Sequence, residues 1–332
     1  MHLLTTLVLF LTLFISACSQ KVNVRALVPA QVDRASLVKK VSVTSFKNDS
    51  VALSAKIEST LSQQTIDNKH YFTIINRSDF NKIIQEKKLQ SSGLVETSTA
   101  AEIGSLIGAE SIISGDVSSI TSSDSYYYEQ RTKCADKKCK KLIKYKVRCL
   151  KRVIGLSADI RMIDVNHGDI IYADTIRNSS KYVHCSDDSE VIPDKNKVAD
   201  YLAQRIAKNF VYRLTPHYRN FRVVLLEKPD FSYSDSQEKL LKVSLEYIEQ
   251  KRYDKAEQFL VELIDSTDQR SYVPFYNLGV VKEIQGSYSD AQSYYATADS
   301  LMVEPVEEIS SAYLRIQKTI NNAKITQKQL AR

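Results

Sequence analysis

Five cysteines and five histidines are the side chains with the widest chemical reach in this 332-residue chain. Cys134, Cys139, Cys149 and Cys185 cluster in one stretch, with four, nine and thirty-five residues between neighbours. Those gaps lack the paired CxxC knuckles of a four-cysteine zinc site. In an oxidising compartment four cysteines make two disulfides, and three pairings are open. A zinc centre is the alternative use of the same four. His2, His70, His167, His184 and His217 fall at no metal-ligand or triad spacing, and read as surface or turn histidines. No GxSxG, HExxH or glycine-rich phosphate loop occurs. The carboxylate pairs Asp187-Asp188 and Glu307-Glu308 read as solvated faces. The chain is therefore expected not to be an enzyme, with no metal and no cofactor.

The fifth cysteine stands apart. Residues 1–18 read MHLLTTLVLFLTLFISAC, an apolar run that meets small residues and then Cys18. The run is shorter than the roughly 20 apolar residues of a membrane-spanning helix and fits the hydrophobic region of a secretory signal. The n-region offers His2 and no Lys or Arg. Ile15-Ser16-Ala17-Cys18 resembles the lipobox of bacterial lipoproteins, which implies a covalent lipid on Cys18. The alternative is an ordinary signal peptide with a chance cysteine at its end. Ser19 stands where many such lipoproteins carry an inner-membrane retention Asp, so the resemblance implies the outer membrane, lipid-anchored and periplasm-facing.

Composition allows a buried core, at 43% hydrophobic and 26% charged residues. The net charge of +7 would point to nucleic acid inside a cell. Outside the cytoplasm the available anions are phospholipid headgroups, lipopolysaccharide phosphates and acidic proteins, so no nucleic-acid partner is expected. The charge concentrates from Arg131 to Arg152, eleven Lys and Arg against Asp136 alone. Lys137, Lys138, Lys140, Lys141, Lys144, Lys146 and Arg148 are candidates for binding an anionic surface. The competing reading is that lysines keep a hairpin edge from pairing with other chains.

The elements that carry these residues follow from periodicity. Residues 18–36 read as a tether. Val41 to Phe46 alternates as a strand, and Leu53, Ile57 and Leu61 mark one helix face. Tyr71 to Ile75 is a second strand. Ser78 caps a helix with Phe80, Ile83 and Ile84 on one side. Thr99 and Glu102 form a capping box for a helix ended by Gly108, and Ser111 to Ile120 is a strand. This alternation indicates an α/β domain.

Tyr71-Phe72-Thr73-Ile74-Ile75-Asn76-Arg77-Ser78-Asp79-Phe80, Ser91-Ser92-Gly93-Leu94-Val95 and Ala101 to Val117 resemble three ordered motifs of the curli assembly/transport lipoprotein family. The resemblance covers about residues 22–228. It implies an α/β domain like anticodon-binding domains. It also implies one of two roles. The founding member is an outer-membrane secretion channel, a ring in which each subunit gives two hairpins to a barrel. Other members are accessory lipoproteins without a pore.

Residues 121–193 bear on that choice. Ile143, Tyr145, Val147 and Cys149 alternate with cations, but Ser125 to Lys133 is a weaker partner and Lys181 to Asp194 has no apolar face. A soluble β-meander is expected rather than a barrel wall. Ile154 to Met162 places its apolar residues on even positions, and the switch of parity implies a bulge near Leu150 to Val153. A turn at Asn166-His167-Gly168 sets Cys149 opposite Cys185, since both are equally far from His167. Cys134 then pairs with Cys139.

Leu202, Ile206, Phe210 and Leu214 mark a long helix, and Phe221 to Leu226 a last strand. Beyond a linker at 229–237, Tyr253/Tyr288 and Ala256/Ala291 recur 35 residues apart, resembling tetratricopeptide repeats across residues 238–325. Ser310 to Ile320 would cover their open end. The first helices of the repeats, around Tyr247, Asn277 and Val281, are expected to line a concave partner-binding face. The expected organisation is thus a signal peptide at 1–17, a lipidated tether at 18–36, an α/β domain with a meander insertion (121–193) at 37–228, and an all-α domain. The expected function is a non-enzymatic assembly scaffold. A ring-forming channel subunit and an activator of a peptidoglycan synthase are the alternatives. Partners would be other envelope proteins through the repeats, the membrane through the lipid, and further copies if a ring forms.

Overall fold

The computed structural model describes residues 19–76 and 97–331. Cys18 and its signal segment, the helix placed after Ser78, and the Ser91-Ser92-Gly93 loop lie outside the described residues. The chain forms two compact units: residues 29–217 with 327–332, and residues up to 28 with 218–326.

The first unit is α/β. Its elements are α1 (Asp33–Leu37), β2 (Lys40–Val43), α2 (Leu53–Ser62), the short β3 (Thr65–Ile66) and β4 (Lys69–His70), β5 (Thr73–Ile75) and α3 (Thr97–Ile107). They continue with β6 (Ser111–Val117), β7 (Thr121–Cys134), β8 (Leu142–Asp164), β9 (Asp169–Cys185) and α4 (Lys195–Leu214). Strand β2 pairs in parallel with β5 and β6. Strand β8 is the spine: Ala158–Asp164 pair antiparallel with β6, and Leu142–Gly155 pair with β7. Strand β9 takes the other edge of β8 from Cys149 to Asp164. The inner half of the meander is thus part of the main sheet rather than an insertion.

Alternation along β8 explains its burial. Ile154, Leu156, Ala158, Ile160 and Met162 are buried with Leu202, Ile206, Phe210 and Leu214 of α4 and with Leu53, Ile57 and Leu61 of α2. Helix α4 starts at Asp194, whose carboxylate accepts from the Asn196 and Lys197 amides, and stops before Pro216. The opposite sheet face is covered at Ile112 and Ile163 by Ala100 and Ile103 of α3. Thr99 lies inside α3 rather than capping it.

The expected bulge at Leu150–Val153 is absent; pairing runs unbroken there on both edges. The parity switch has another cause. The odd face of β8 is buried at Val147 and Cys149, the even face from Ile154 onward. The strand keeps its pleat, and the covering changes sides. The register shift sits instead at Met162/Ile163, where Ile171 is the extra residue on β9. Gly168 closes the turn with φ +67°, a conformation glycine adopts without a Cβ penalty.

The second unit holds β1 (Lys21–Val28), which forms a two-stranded sheet with β10 (His217–Val224). It also holds α5 (Asp235–Glu249), α6 (Tyr253–Ser266), α7 (Tyr272–Ile284), α8 (Tyr288–Leu301) and most of α9 (Glu307–Leu330). The tether reading of 18–36 is therefore corrected. Val22, Val24 and Ala26 alternate toward the helical core with Val223 and Leu225. Residues from Tyr218 likewise group with the helices, so the α/β unit stops short of 228. Tyr253 and Tyr288 open α6 and α8, and Ala256 and Ala291 are fully buried. The covering helix is α9, which extends ten residues beyond the expected Ile320.

Four polar side chains, Asn277, Glu283, Tyr295 and Arg315, organise this core. Asn277 donates to the Leu226 carbonyl (2.8 Å) and accepts from its amide (3.0 Å). Glu283, fully buried, accepts from Arg315 (2.8 and 3.1 Å) and from the Tyr295 hydroxyl (2.7 Å). Burial, then the charge of Glu283, pushes the Tyr295 phenol well above its usual range. Gly279 lets the Tyr295 ring approach; a Cβ there would sit 2.6 Å from Cε1.

Candidate functional site

Among the described residues of the α/β unit, a long run of exposed residues rich in Lys and Arg forms the outer end of the β7–β8 hairpin. Strand β9 ends at Cys185, opposite Cys149. Beyond that point Leu142–Arg148 pair with β7 alone. Seven residue pairs at about 3.4 Å each make a two-stranded arm of about 24 Å. Two strands alone are marginal in water, so something else must hold the arm.

Four devices do so. Cys149–Cys185 is a disulfide at the fork where three strands become two. Cys134–Cys139 is a disulfide closing the tip. Between the tip cysteines, the Asp136 carboxylate accepts from the backbone amides of Lys138 (2.9 Å), Lys140 (3.1 Å) and Lys141 (2.9 Å). Those amides, that of Lys140 foremost, hold its pKa below the usual carboxylate value. Last, the turn after β9 reaches back to the arm. Arg131 donates to Asp187 (2.7 Å) and Asp188 (2.8 Å), the Tyr145 hydroxyl donates to Asp187, and the Ser186 amide donates to the Arg148 carbonyl. Tyr145 lowers the pKa of Asp187, and Arg131 that of Asp188.

The brace occupies one face of the arm, where Val147 and the Cys149–Cys185 bridge are buried with Tyr145 packed on them. The other face is free. Directly paired residues share a face, so the register places Tyr126, Tyr128, Gln130 and Thr132 of β7 beside Leu150, Arg148, Lys146 and Lys144 of β8. Tyr126 is 59% and Tyr128 71% exposed, and the Arg148 guanidinium lies 4.4 Å from the Tyr126 ring centre. Lys137, Lys138, Lys140, Lys141, Lys144, Lys146 and Arg148 are all exposed. The sequence located this basic surface; it missed the brace, because Asp187 and Asp188 lie more than fifty residues from Arg131.

The expected partner face on the helical unit is corrected. Asn277 and Val281 are fully buried, and half-buried Tyr247 stacks on Phe259 with ring centres 5.5 Å apart. Asn277 is consumed by the Leu226 backbone. An open groove of about 760 Å³ runs instead along α5, with Leu241 and Leu245 in its floor and Glu238, Glu246 and Glu249 among its rim residues. Among the described residues two clusters have metal-like composition: Glu129 with Cys149 and Cys185, and Asp164 with His167 and Asp169. The two cysteines of the first are oxidised to a disulfide, and Arg34 bonds both carboxylates of the second. Among the described residues no helix is long and apolar enough to cross a membrane.

Comparison with known proteins gives a family and a weak structural likeness. Residues 19–186 match the family described as curli production assembly/transport component CsgG. No curated protein matches the chain. The hypothetical protein CT253 from Chlamydia trachomatis is 14% identical over 53% of this chain and 95% of its own, at a TM-score of 0.27.

Proposed function

Because the chain belongs to the curli production assembly/transport component CsgG family, we propose that it is a lipid-anchored, non-enzymatic envelope lipoprotein. It serves as an assembly scaffold, held at the outer membrane through Cys18 and facing the periplasm. Its α/β unit is of the anticodon-binding-domain type, and its helical unit is a tetratricopeptide-like pair. The observation that carries the scaffold reading is the charge on both faces of the arm. Lys144, Lys146 and Arg148 stand on one face, Arg131 and Glu129 on the other. A barrel strand keeps one face apolar to lipid, and a cation at mid-bilayer costs it about 2–4 kcal/mol. In this reading the helical unit engages another envelope protein. The apolar floor of the α5 groove, and its excess of carboxylates over Lys239 and Lys242, suit a basic amphipathic segment of that partner.

A ring-forming secretion channel is the second reading. Strand lengths favour it, since β7, β8 and β9 have 14, 23 and 17 residues against the 9–11 a bilayer-spanning strand needs. Two measurements separate the two. Protein from Ser19 onward should remain monodisperse without detergent and leave planar bilayers non-conducting. Ring-shaped particles that conduct ions would establish the channel. The anchor is tested by Cys18→Ala: a variant that still takes up a fatty-acid probe and fractionates with membranes would remove it.

A further inference from the structure

We propose that the free face and tip of the β7–β8 arm dock on an anionic phospholipid surface, lying in the headgroup layer without crossing it. This rests on the reading of the arm as a contact element rather than a barrel wall.

The first argument is the sign of the field. Of the eleven cations from Arg131 to Arg152, Arg131 is paired with Asp187 and Asp188, and Arg152 with Asp124. The other nine have no carboxylate partner among the described residues. The one acid in the stretch, Asp136, is turned onto the tip's own amides. The tip therefore presents Lys137, Lys138, Lys140 and Lys141 with no compensating charge directed outward.

The second argument is the company these cations keep. Leu142 is 64% and Ile143 39% exposed at the tip, and Tyr126 and Tyr128 stand on the same face as Lys144, Lys146 and Arg148. Apolar residues exposed among lysines are costly in water. They suit a layer where phosphates meet acyl chains, with tyrosines at headgroup depth. An acidic protein would satisfy the lysines and leave Leu142 and Ile143 unexplained.

The third argument is rigidity. The tip disulfide, the fork disulfide and the Arg131 brace order the arm before it meets a surface, so little conformational freedom is lost on docking. Four lysines close to an anionic surface raise affinity by roughly a thousandfold at low ionic strength, and salt screens that gain.

The test is lysine acylation footprinting, read by mass spectrometry on the full chain. The chain is reconstituted with vesicles of phosphatidylcholine alone, or of phosphatidylcholine with phosphatidylglycerol. Labelling of Lys137, Lys138, Lys140 and Lys141 should fall at least about fivefold on the anionic vesicles only, and return in about 1 M salt. Leu142→Asn with Ile143→Asn keeps every lysine and should weaken the protection; intact Cys134–Cys139 and Cys149–Cys185 bonds show that the arm has folded. Equal labelling on both vesicle types overturns the proposal. Stronger protection by soluble polyglutamate than by phosphatidylglycerol reassigns the surface to an acidic protein and also overturns it. Salt-resistant protection on both vesicle types, extending to the Tyr126–Arg131 amides in hydrogen exchange, would place the strands in the bilayer. That last outcome defeats the contact-element reading itself.

Discussion

Removing the fork disulfide should cost the α/β unit more than removing the tip disulfide. The perturbations are two double variants, Cys149→Ala/Cys185→Ala and Cys134→Ala/Cys139→Ala. The fork bond joins residues separated by 36 in sequence, the tip bond residues separated by 5. In the chain-entropy model the first removes about 13 cal/mol/K from the unfolded chain and the second about 7. At 25 °C these are about 4 and about 2 kcal/mol. The fork cysteines are also fully buried with Val147, so their loss removes packing, whereas the tip is exposed. At about 2–4 °C per kcal/mol for a unit of this size, the fork variant should melt roughly 8–16 °C lower. Thermal unfolding by circular dichroism reads the global cost. Amide exchange at Leu142–Arg148 reads the local one, because β7 is the one strand that pairs with those residues. If the tip variant melts as low as the fork variant, or if Leu142–Arg148 exchange is unchanged in the fork variant, the loop-length argument fails.

Three further outcomes are expected. Glu283→Ala leaves Arg315 and Tyr295 without their buried partner and should destabilise the helical unit by about 3–5 kcal/mol in urea; a loss under about 1 kcal/mol would mean that water replaces the carboxylate. Asp136→Ala should speed exchange of the Lys138, Lys140 and Lys141 amides while leaving the Cys134–Cys139 bond formed, and unchanged exchange would show that the disulfide alone shapes the tip. Acid should loosen the brace. Asp187 and Asp188 are held below their ordinary value of 3.8, so their ionised forms stabilise the folded arm above that pH. The contribution disappears as pH falls through the lowered values. Amide exchange in the arm, corrected for its intrinsic pH dependence, should therefore rise only below about pH 4; a rise that is complete well above pH 4 would mean that these carboxylates are not the cause.

How far the chain could be read depended on where each element's partner lies. Counting outward from His167 reaches the Cys149–Cys185 pair because the hairpin is local and its register is inherited residue by residue. The count works through Ile171, the extra residue that shifts the centre of the turn. The parity switch near Leu150 was visible, but its meaning was not, since which face of a strand is covered depends on what packs there. Strand β1 escaped notice because three alternating apolar residues are a weak signal and their partner is β10. Asn277 and Glu283 were opaque for a related reason: a polar residue is buried only when the fold brings it a partner. The lysines of the arm were the clearest part, since exposed charge needs no partner at all.

The interleaving of the two units has a kinetic consequence. Strand β1 is made early, but its partner β10 begins 189 residues after Val28 ends it (217 minus 28). β1 therefore has no partner until all the intervening residues of the α/β unit have emerged as well. The α/β unit is nearly complete in that interval, yet it too has a late piece. Gln329 supplies the acceptor for the Ala30 amide (2.9 Å) and a donor for Asp33 (2.9 Å). The helical unit cannot close before β10 and the helices after it have emerged, and the α/β unit is completed only when Gln329 reaches Ala30 and Asp33. A truncation after His217 therefore removes part of both units, and an unpaired β1 is the strand most open to capture by another chain during folding.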